Sequence, residues 1–325
     1  MKPLKKLIIL SIVLLLILLT GCGISGRSKD KDVSLIMDTG VLEDDELREM
    51  ILYYRDNRGF IIPVMRRVPQ EEGIGKTAIN LLIDEPGLRE DLALVGLLPV
   101  LPAGTEIIGM SINEGLAKVN FNENLLSYET EIDEKAIIQS LVYTLTEFET
   151  IDKVELLVDG KKIKKFPHGT KVKDPLRREN INLTIQLQGE EIPVTVYYKG
   201  TTNGRDSFFV PVTKGANTLK ADIKSVLAAL VEGAPESTGL YSELPAGVVL
   251  NNVYVKDGVA YIDFSEEIKN MPVSKAHQQS MIYELGFTLR EIEPSISQVR
   301  ILSNGREIEL NPEVSLNLPT HSNVH

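Results

Sequence analysis

The chain has 325 residues, 43% apolar and 25% charged, with a formal net charge of −11, one cysteine and no tryptophan. That length suits about two domains. A single cysteine excludes an internal disulfide and a cysteine-built metal site, and the acidic balance argues against nucleic acid, which is bound by cationic side chains meeting phosphate.

The N-terminus reads "MKPLKKLIILSIVLLLILLTGC". Lys2, Lys5 and Lys6 precede a stretch from Leu7 to Leu19 that is apolar except for Ser11. This is the layout of a secretory signal, and it is short for a transmembrane helix. It ends in Leu19, Thr20, Gly21 and Cys22, a tetrapeptide that resembles the bacterial lipobox. The resemblance implies that residues 1–21 are removed as a signal peptide and that the Cys22 thiol carries a diacylglyceryl group. Two acyl chains suffice for stable membrane attachment, where one is marginal. Residues 22–45 are mixed in charge with little periodicity and read as a tether.

From residue 46 the sequence runs twice through one order of elements. A first unit is expected over residues 46–180, a connector over 181–192, a second unit over 193–319 and a tail over 320–325. "ILYYRDNRGFIIPVMRRV" (51–68) and "PVTVYYKGTTNGRDSFFVPVT" (193–213) each predict a strand, a Gly/Asn-rich turn and a second strand, with the turn four residues longer in the second copy. Pro63 and Pro211 occupy matching places; proline cannot donate to a ladder, which puts these strands at a sheet edge. A helix follows, marked by Ile74, Ala78, Leu81 and Leu82 before Pro86 in the first copy. Leu219, Ile223, Val226, Leu227 and Leu230 before Gly233 mark it in the second.

"LPAGTEIIGMSINEGLAKVNF" (101–121) is then answered by "LPAGVVLNNVYVKDGVAYIDF" (244–264), 143 residues later. Seven of the 21 positions are identical, and none of the seven is ionisable or nucleophilic, which favours a repeated scaffold over a repeated active site. Glu114-Gly115 and Asp257-Gly258 predict tight type I′ hairpins. Ala117, Val119 and Phe121, like Ala260, Ile262 and Phe264, alternate onto one buried face. A longer helix carries Ile132, Ala136, Ile137, Ser140, Leu141, Leu145 and Phe148 on one stripe, with Thr130 and Asp133 as a capping pair. Its counterpart runs from 274 to about 292. Aligning Gln139-Ser140 with Gln279-Ser280 implies an insertion of about four residues in that helix and sets His277 opposite Ile137. Closing strands fall at 153–160 and 298–305. Each unit thus reads β-β-α-β-β-α-β: an α+β fold of two homologous small mixed-sheet domains, with the helices on one sheet face.

The order "LPAGT…INEGLAKVNF…IIQSLVYTLTEF…VELLVDG", with its second copy "LPAGV…VKDGVAYIDF…QQSMIYELGFTLREI…VRILSNG", resembles the GerM domain of bacterial sporulation and germination lipoproteins. The two copies span most of the chain from residue 51 to 310. The resemblance implies an endospore-forming source, a domain similar to the ring-building motif of secretion-system proteins, and a place in the complex that links mother cell and forespore. On that reading the protein sits on the extracytoplasmic face of the mother-cell membrane, facing the intermembrane space and held by lipid on Cys22. Its partners are other extracytoplasmic proteins of the sporulation complex, with no cofactor and no catalytic residues. A peptidoglycan-binding module and a cell-wall hydrolase stand as alternatives.

Candidate chemistry elsewhere is thin. Gly75-Lys76-Thr77 resembles the end of a phosphate loop, but Gln70 stands where that pattern needs a glycine. The four histidines, His168, His277, His321 and His325, have no sequence cluster of carboxylates to make a metal site with them. Asp263 and Asn120 share one repeat position, so a catalytic acid there would be missing from one copy. Aromatic residues make up only 6%, which weakens a sugar-stacking surface. "KKIKKFPHGTKVKDPLRR" (161–178) packs eight basic residues and one acid into an acidic protein. It reads as a solvated hairpin and connector, or as a contact for an anionic partner.

Overall fold

The computed structural model describes residues 47–70, 72–172 and 175–325. Leu19, Thr20, Gly21, Cys22 and the tether lie outside the described residues. The first half runs β1 (Leu47–Asp56), β2 (Ile61–Pro69), α1 (Ile74–Asn80), α2 (Pro86–Leu94), β3 (Leu97–Leu98), β4 (Ile107–Asn113), β5 (Leu116–Phe121), α3 (Glu131–Leu145), β6 (Lys153–Val158) and β7 (Lys161–Lys162). The second runs β8 (Ile192–Thr201), β9 (Ser207–Ala216), α4 (Ile223–Val231), β10 (Leu240–Tyr241), β11 (Leu250–Lys256), β12 (Val259–Phe264), α5 (Lys275–Arg290), β13 (Gln298–Ser303) and β14 (Arg306–Glu307). The expected element order holds in both halves. Added to it are α2, started by Pro86 in its first turn, and the two-residue strands β3, β7, β10 and β14.

The strands of each half form two sheets, not the single sheet expected. The orders are β2-β1-β3 with β4-β5-β6-β7, and β10-β8-β9 with β11-β12-β13-β14. In each four-stranded sheet the central pair is parallel, β5 with β6 and β12 with β13. A parallel pair needs a long crossover, and α3 and α5 supply it. Each long helix packs against the hairpin sheet as well as the mixed sheet. The buried residues Ala136, Ile137, Leu141 and Leu145 belong to the same core as Ala117, Val119 and Phe121.

Local chemistry explains the joints. Glu114-Gly115 and Asp257-Gly258 hold positive φ at both positions, 48 and 73° and 52 and 75°, as a type I′ turn requires. The LPAG glycines, Gly104 and Gly247, also take positive φ, and the residue after each donates its N–H to the proline carbonyl, turning the chain into the β4 and β11 hairpins. Thr130 and Asp133 form the expected capping box on α3. Leu219, read as the first turn of a helix, is fully exposed and precedes α4, which begins at Ile223 behind its own Asp222–Ser225 capping box.

Two alignments need correction. Asp56 and Thr202 each close their hairpin by donating to the carbonyl four residues on, so the turns are equally long. The extra residues of the second copy lengthen the ladder instead: two pairs lie between Tyr53–Pro63 and the turn, whereas four lie between the matching Tyr197–Pro211 and its turn. The long helices carry no four-residue insertion either. The N–H of Tyr53 donates to Thr144 Oγ1 and that of Tyr197 to Thr288 Oγ1, and the tyrosine hydroxyls donate to Glu147 and Glu291. Both helix positions are 144 residues apart, so Gln139-Ser140 and Gln279-Ser280 sit one turn out of register. His277 corresponds to Asp133, where each donates its N–H to the cap residue.

Candidate functional site: the seam between the halves

In the two hairpin sheets β2 and β9 are edge strands, as the prolines implied, and the two edges come together. Pro63 and Pro211 lack the N–H that would join them as neighbours in a ladder. Two asparagines fill the gap. Asn182 accepts from the Ile61 N–H at 2.7 Å and donates through Nδ2 to the Ile61 and Pro211 carbonyls at 2.7 and 2.8 Å. Asn323 accepts from the Phe209 N–H at 2.8 Å and donates to the Phe209 and Pro63 carbonyls at 2.9 and 2.7 Å. The two patterns are the same with the halves exchanged. Each asparagine trails its own half and binds both edges. Both are buried, so every one of these backbone groups would otherwise lack a partner.

The flanking residues continue the exchange. Thr213 of β9 donates its N–H to Ile181, and Met65 of β2 donates its N–H to Asn323 and accepts from the His325 N–H. The connector after the first half therefore seats on the second half, and the chain's end seats on the first. Beside this clasp lies a cavity of about 460 Å³, whose lining includes Tyr53, Tyr197, Glu147, Glu291, Arg178 and His321. Burial raises both tyrosine hydroxyls well above their ordinary pKa, with Glu147 adding to the effect on Tyr53 and Glu291 to that on Tyr197. Arg178 pairs with Glu147 and lies over the Tyr143 ring at 4.9 Å. Desolvation in the seam raises the Glu291 carboxyl, opposed by the Tyr197 hydroxyl and Arg178, although the residue is exposed at the surface. Phenols, carboxylates and guanidinium answer one another, which suits a joint that holds two faces at a fixed spacing.

The residues singled out by sequence fall elsewhere. Gly75 is buried, and a Cβ there would meet Met110 Cε at 2.7 Å, so close packing accounts for this glycine; α1 behind Gly73 is seven residues long. His277 pairs with Glu243 at 2.7 Å, His321 with Glu49 at 3.0 Å, and His168 stands against the Tyr128 ring. His325 lies 3.5 Å from Asp91. Among the described residues no group of three or more His, Cys, Asp or Glu is placed to hold a metal ion. Asn120 and Asp263 play the same structural part, since each accepts from the glycine N–H of the following hairpin, Gly160 or Gly305, at 2.8 Å. In the basic run Lys162 pairs with Glu155 and Arg178 with Glu147. Asn182 and Asn323 drew no functional reading from sequence, since they fall in the connector and the tail. Their signal was an asparagine trailing each copy, 141 residues apart.

Two α+β units of one fold, clasped through their edge strands, define a tandem-duplicated two-domain protein. The structure of the tandem GerMN domains of the sporulation protein GerM from Bacillus subtilis matches with a TM-score of 0.72 at 28% identity, covering 86% of this chain and 99% of that one. The spore germination protein GerM of Bacillus subtilis (strain 168) is 31% identical over 264 residues, 78% of this chain and 71% of that protein. The model of the Germane family, described as "Sporulation and spore germination", matches residues 51–164 and 195–309. The chain belongs to this family.

Proposed function

We propose that the protein is a membrane-anchored extracytoplasmic lipoprotein that acts as a non-enzymatic assembly component in sporulation and spore germination, within the complex linking mother cell and forespore. The observation that carries this reading is the reciprocal clasp. With each half's trailing segment seated on the other half, the two domains present their outer surfaces in one fixed relation, as a scaffold requires. Lipid on Cys22 would confine that body to a membrane surface and raise its effective concentration for a partner. The related proteins bear names of sporulation and germination, and neither name gives a catalytic activity. Among the described residues no helix is long and apolar enough to cross a membrane.

The test is photo-crosslinking in sporulating cells from exposed positions such as Ile112 and Tyr254. The expected result is crosslinks to other extracytoplasmic proteins that disappear in Cys22→Ala, together with labelled palmitate entering the wild type and not that variant. Release of muropeptides from purified sacculi by the isolated protein would replace this reading with a hydrolase. Retention on sacculi without release would replace it with a wall-binding module.

A further inference from the structure

We infer that the second half carries a binding pocket for a turn of a partner protein, anchored by an aromatic side chain, at the place where the first half is covered by a turn of its own chain. The inference rests on the assembly reading above and names the surface and the partner chemistry that reading leaves open.

The two halves leave their mixed sheets by different loops. Ile163 and Ile308 donate their N–H groups to the Leu156 and Ile301 carbonyls, and Val154 and Val299 donate to the returning chain at Leu176 and Leu316. Residues 164–175 join these points in the first half and residues 309–315 in the second, so the second loop is shorter by five. The longer loop seats on α3. The buried Glu134 carboxylate accepts from the His168 and Thr170 N–H groups at 2.7 and 2.9 Å and from the Tyr128 hydroxyl at 2.8 Å. His168 stands against the Tyr128 ring, and Phe166 of the same turn is 2% exposed.

The matching N-caps, Thr130 and Ser274, put Gln278 in the place of Glu134, and the matching 3-10 turns put Met271 in the place of Tyr128. The shorter loop brings Gln278 a single N–H, that of Asn311, at 2.7 Å to Oε1. The Gln278 amide nitrogen has no partner among the described residues. The Ser303 hydroxyl has none either, on a residue only 4% exposed that stands where the first half has Val158. Both side chains line a cavity of about 430 Å³, with Met271, Ile308 and the exposed Val273 as its apolar wall.

A buried polar group without a partner is costly. The amide nitrogen and the hydroxyl can both donate, so together they suit a carbonyl oxygen. A methionine wall suits an aromatic ring. A peptide turn brings both, and the first half shows such a turn, with a buried ring and a backbone that bonds the equivalent helix position. The charges at the rim balance. Lys269 pairs with Glu266 and Glu307 with Arg300, which leaves Arg306 and Glu309, one of each sign and unpaired among the described residues. A balanced rim does not select an anionic membrane or an acidic polymer, and a sugar would answer the donors without supplying a ring.

The test uses the full chain in detergent micelles, titrated with a fluorescent cyclic peptide that copies residues 164–171 with serine in place of each lysine and histidine. Saturable binding that changes little with salt is expected. A peptide with alanine in place of the phenylalanine should bind roughly tenfold more weakly. Ser303→Val restores the residue of the first half and removes the unpartnered hydroxyl. It should weaken binding about fivefold while thermal stability holds or rises. Replacing residues 309–315 by the sequence of 164–175 should fill the pocket from within and abolish binding; if that graft does not fold, Ser303→Val still decides. Hydrogen exchange should slow at residues 271–278 and 303–311 on peptide addition. Equal binding by the wild type and Ser303→Val, equal binding of the two peptides, or protection confined to another region would overturn the pocket. So would a wild type that ignores the peptide, whether or not it binds chitotriose. Crosslinks in cells that persist while peptide binding fails would sink the pocket and leave the assembly reading standing.

Discussion

The two halves carry the same frame and treat one position in opposite ways. In the first half Arg55 of β1 pairs with Asp133 in the first turn of α3. At the same places the second half has Lys199 and His277, two bases. Glu243 resolves the conflict: it lies 3.0 Å from Lys199 and 2.7 Å from His277, and it stands where the first half has the buried Val100. Two turns along the helix, Ser140 donates to the Tyr53 carbonyl at 2.6 Å, whereas the second half has Glu284, fully buried and accepting from the Glu243 N–H at 2.9 Å. At the seam, by contrast, the pairs Tyr53 and Tyr197, Thr144 and Thr288, Glu147 and Glu291, and Asn182 and Asn323 are unchanged. Duplication has kept what joins the halves and let the chemistry behind the joint diverge, with compensation.

The largest expected effect breaks the joint itself. Asn182→Ala and Asn323→Ala each leave three buried backbone groups without partners, and each should cost about 3 kcal/mol. Urea unfolding of the two variants should give nearly equal losses, because their partners are equivalent. A large loss from Asn182→Ala beside a negligible one from Asn323→Ala would mean that the C-terminal segment does not close the seam in solution.

The next effect separates the helices. Burial raises the Glu284 carboxyl from its ordinary 4.5 to about 8, and nearby Glu243 adds to the rise. Between those values the folded chain holds a proton that the unfolded chain releases, so this group makes stability fall as pH rises from 4.5 through 8. Glu284→Gln should flatten that fall and stabilise the protein by a few kcal/mol at pH 8, with little effect at pH 4.5. Ser140 gives the first half no such dependence. Urea midpoints across that range check the sign, and an unchanged pH slope in the variant would show that Glu284 is not the group responsible.

Exchanging the solutions is a finer test. Glu243→Val makes the second half resemble the first at one position only, leaving Lys199 and His277 without their shared carboxylate. It should cost about 2 kcal/mol. Adding His277→Asp supplies the acid that Asp133 provides to Arg55 and should recover most of the loss. Strict additivity of the two substitutions in a double-mutant cycle would show that the groups are not coupled.

The frame was legible because period-two and helical patterns repeat and because Gly and Pro mark its joints; Ala117, Val119 and Phe121 lie buried where alternation put them. The clasp was not legible, since a hydrogen bond between Asn323 and Pro63 spans 260 residues and leaves no local pattern. Helix register failed for a related reason. Gln-Ser recurs in both helices and suggested an alignment, but the true register is set by Thr144 and Thr288 meeting strand N–H groups far away in sequence. Glu243 escaped notice because only its distance to two bases gives it meaning.

The smallest expected effect asks whether the two sides of the seam are electrostatically alike. The Tyr53 hydroxyl donates to Glu147 at 2.7 Å and that of Tyr197 to Glu291 at 3.1 Å, but Arg178 makes its ion pair with Glu147. Tyr53→Phe therefore leaves Glu147 with a guanidinium, whereas Tyr197→Phe takes from Glu291 the donor that opposes its desolvation. The first should cost about 0.5 kcal/mol and the second about 1 kcal/mol. The second loss should grow with pH, because the carboxylate needs the hydroxyl only when ionised and a neutral Glu291 loses little. Urea midpoints for both variants at pH 5 and pH 8 decide it. A Tyr197→Phe loss that is the same at both would mean that Glu291 does not ionise in the seam over that range, and that the two sides differ in composition but not in charge.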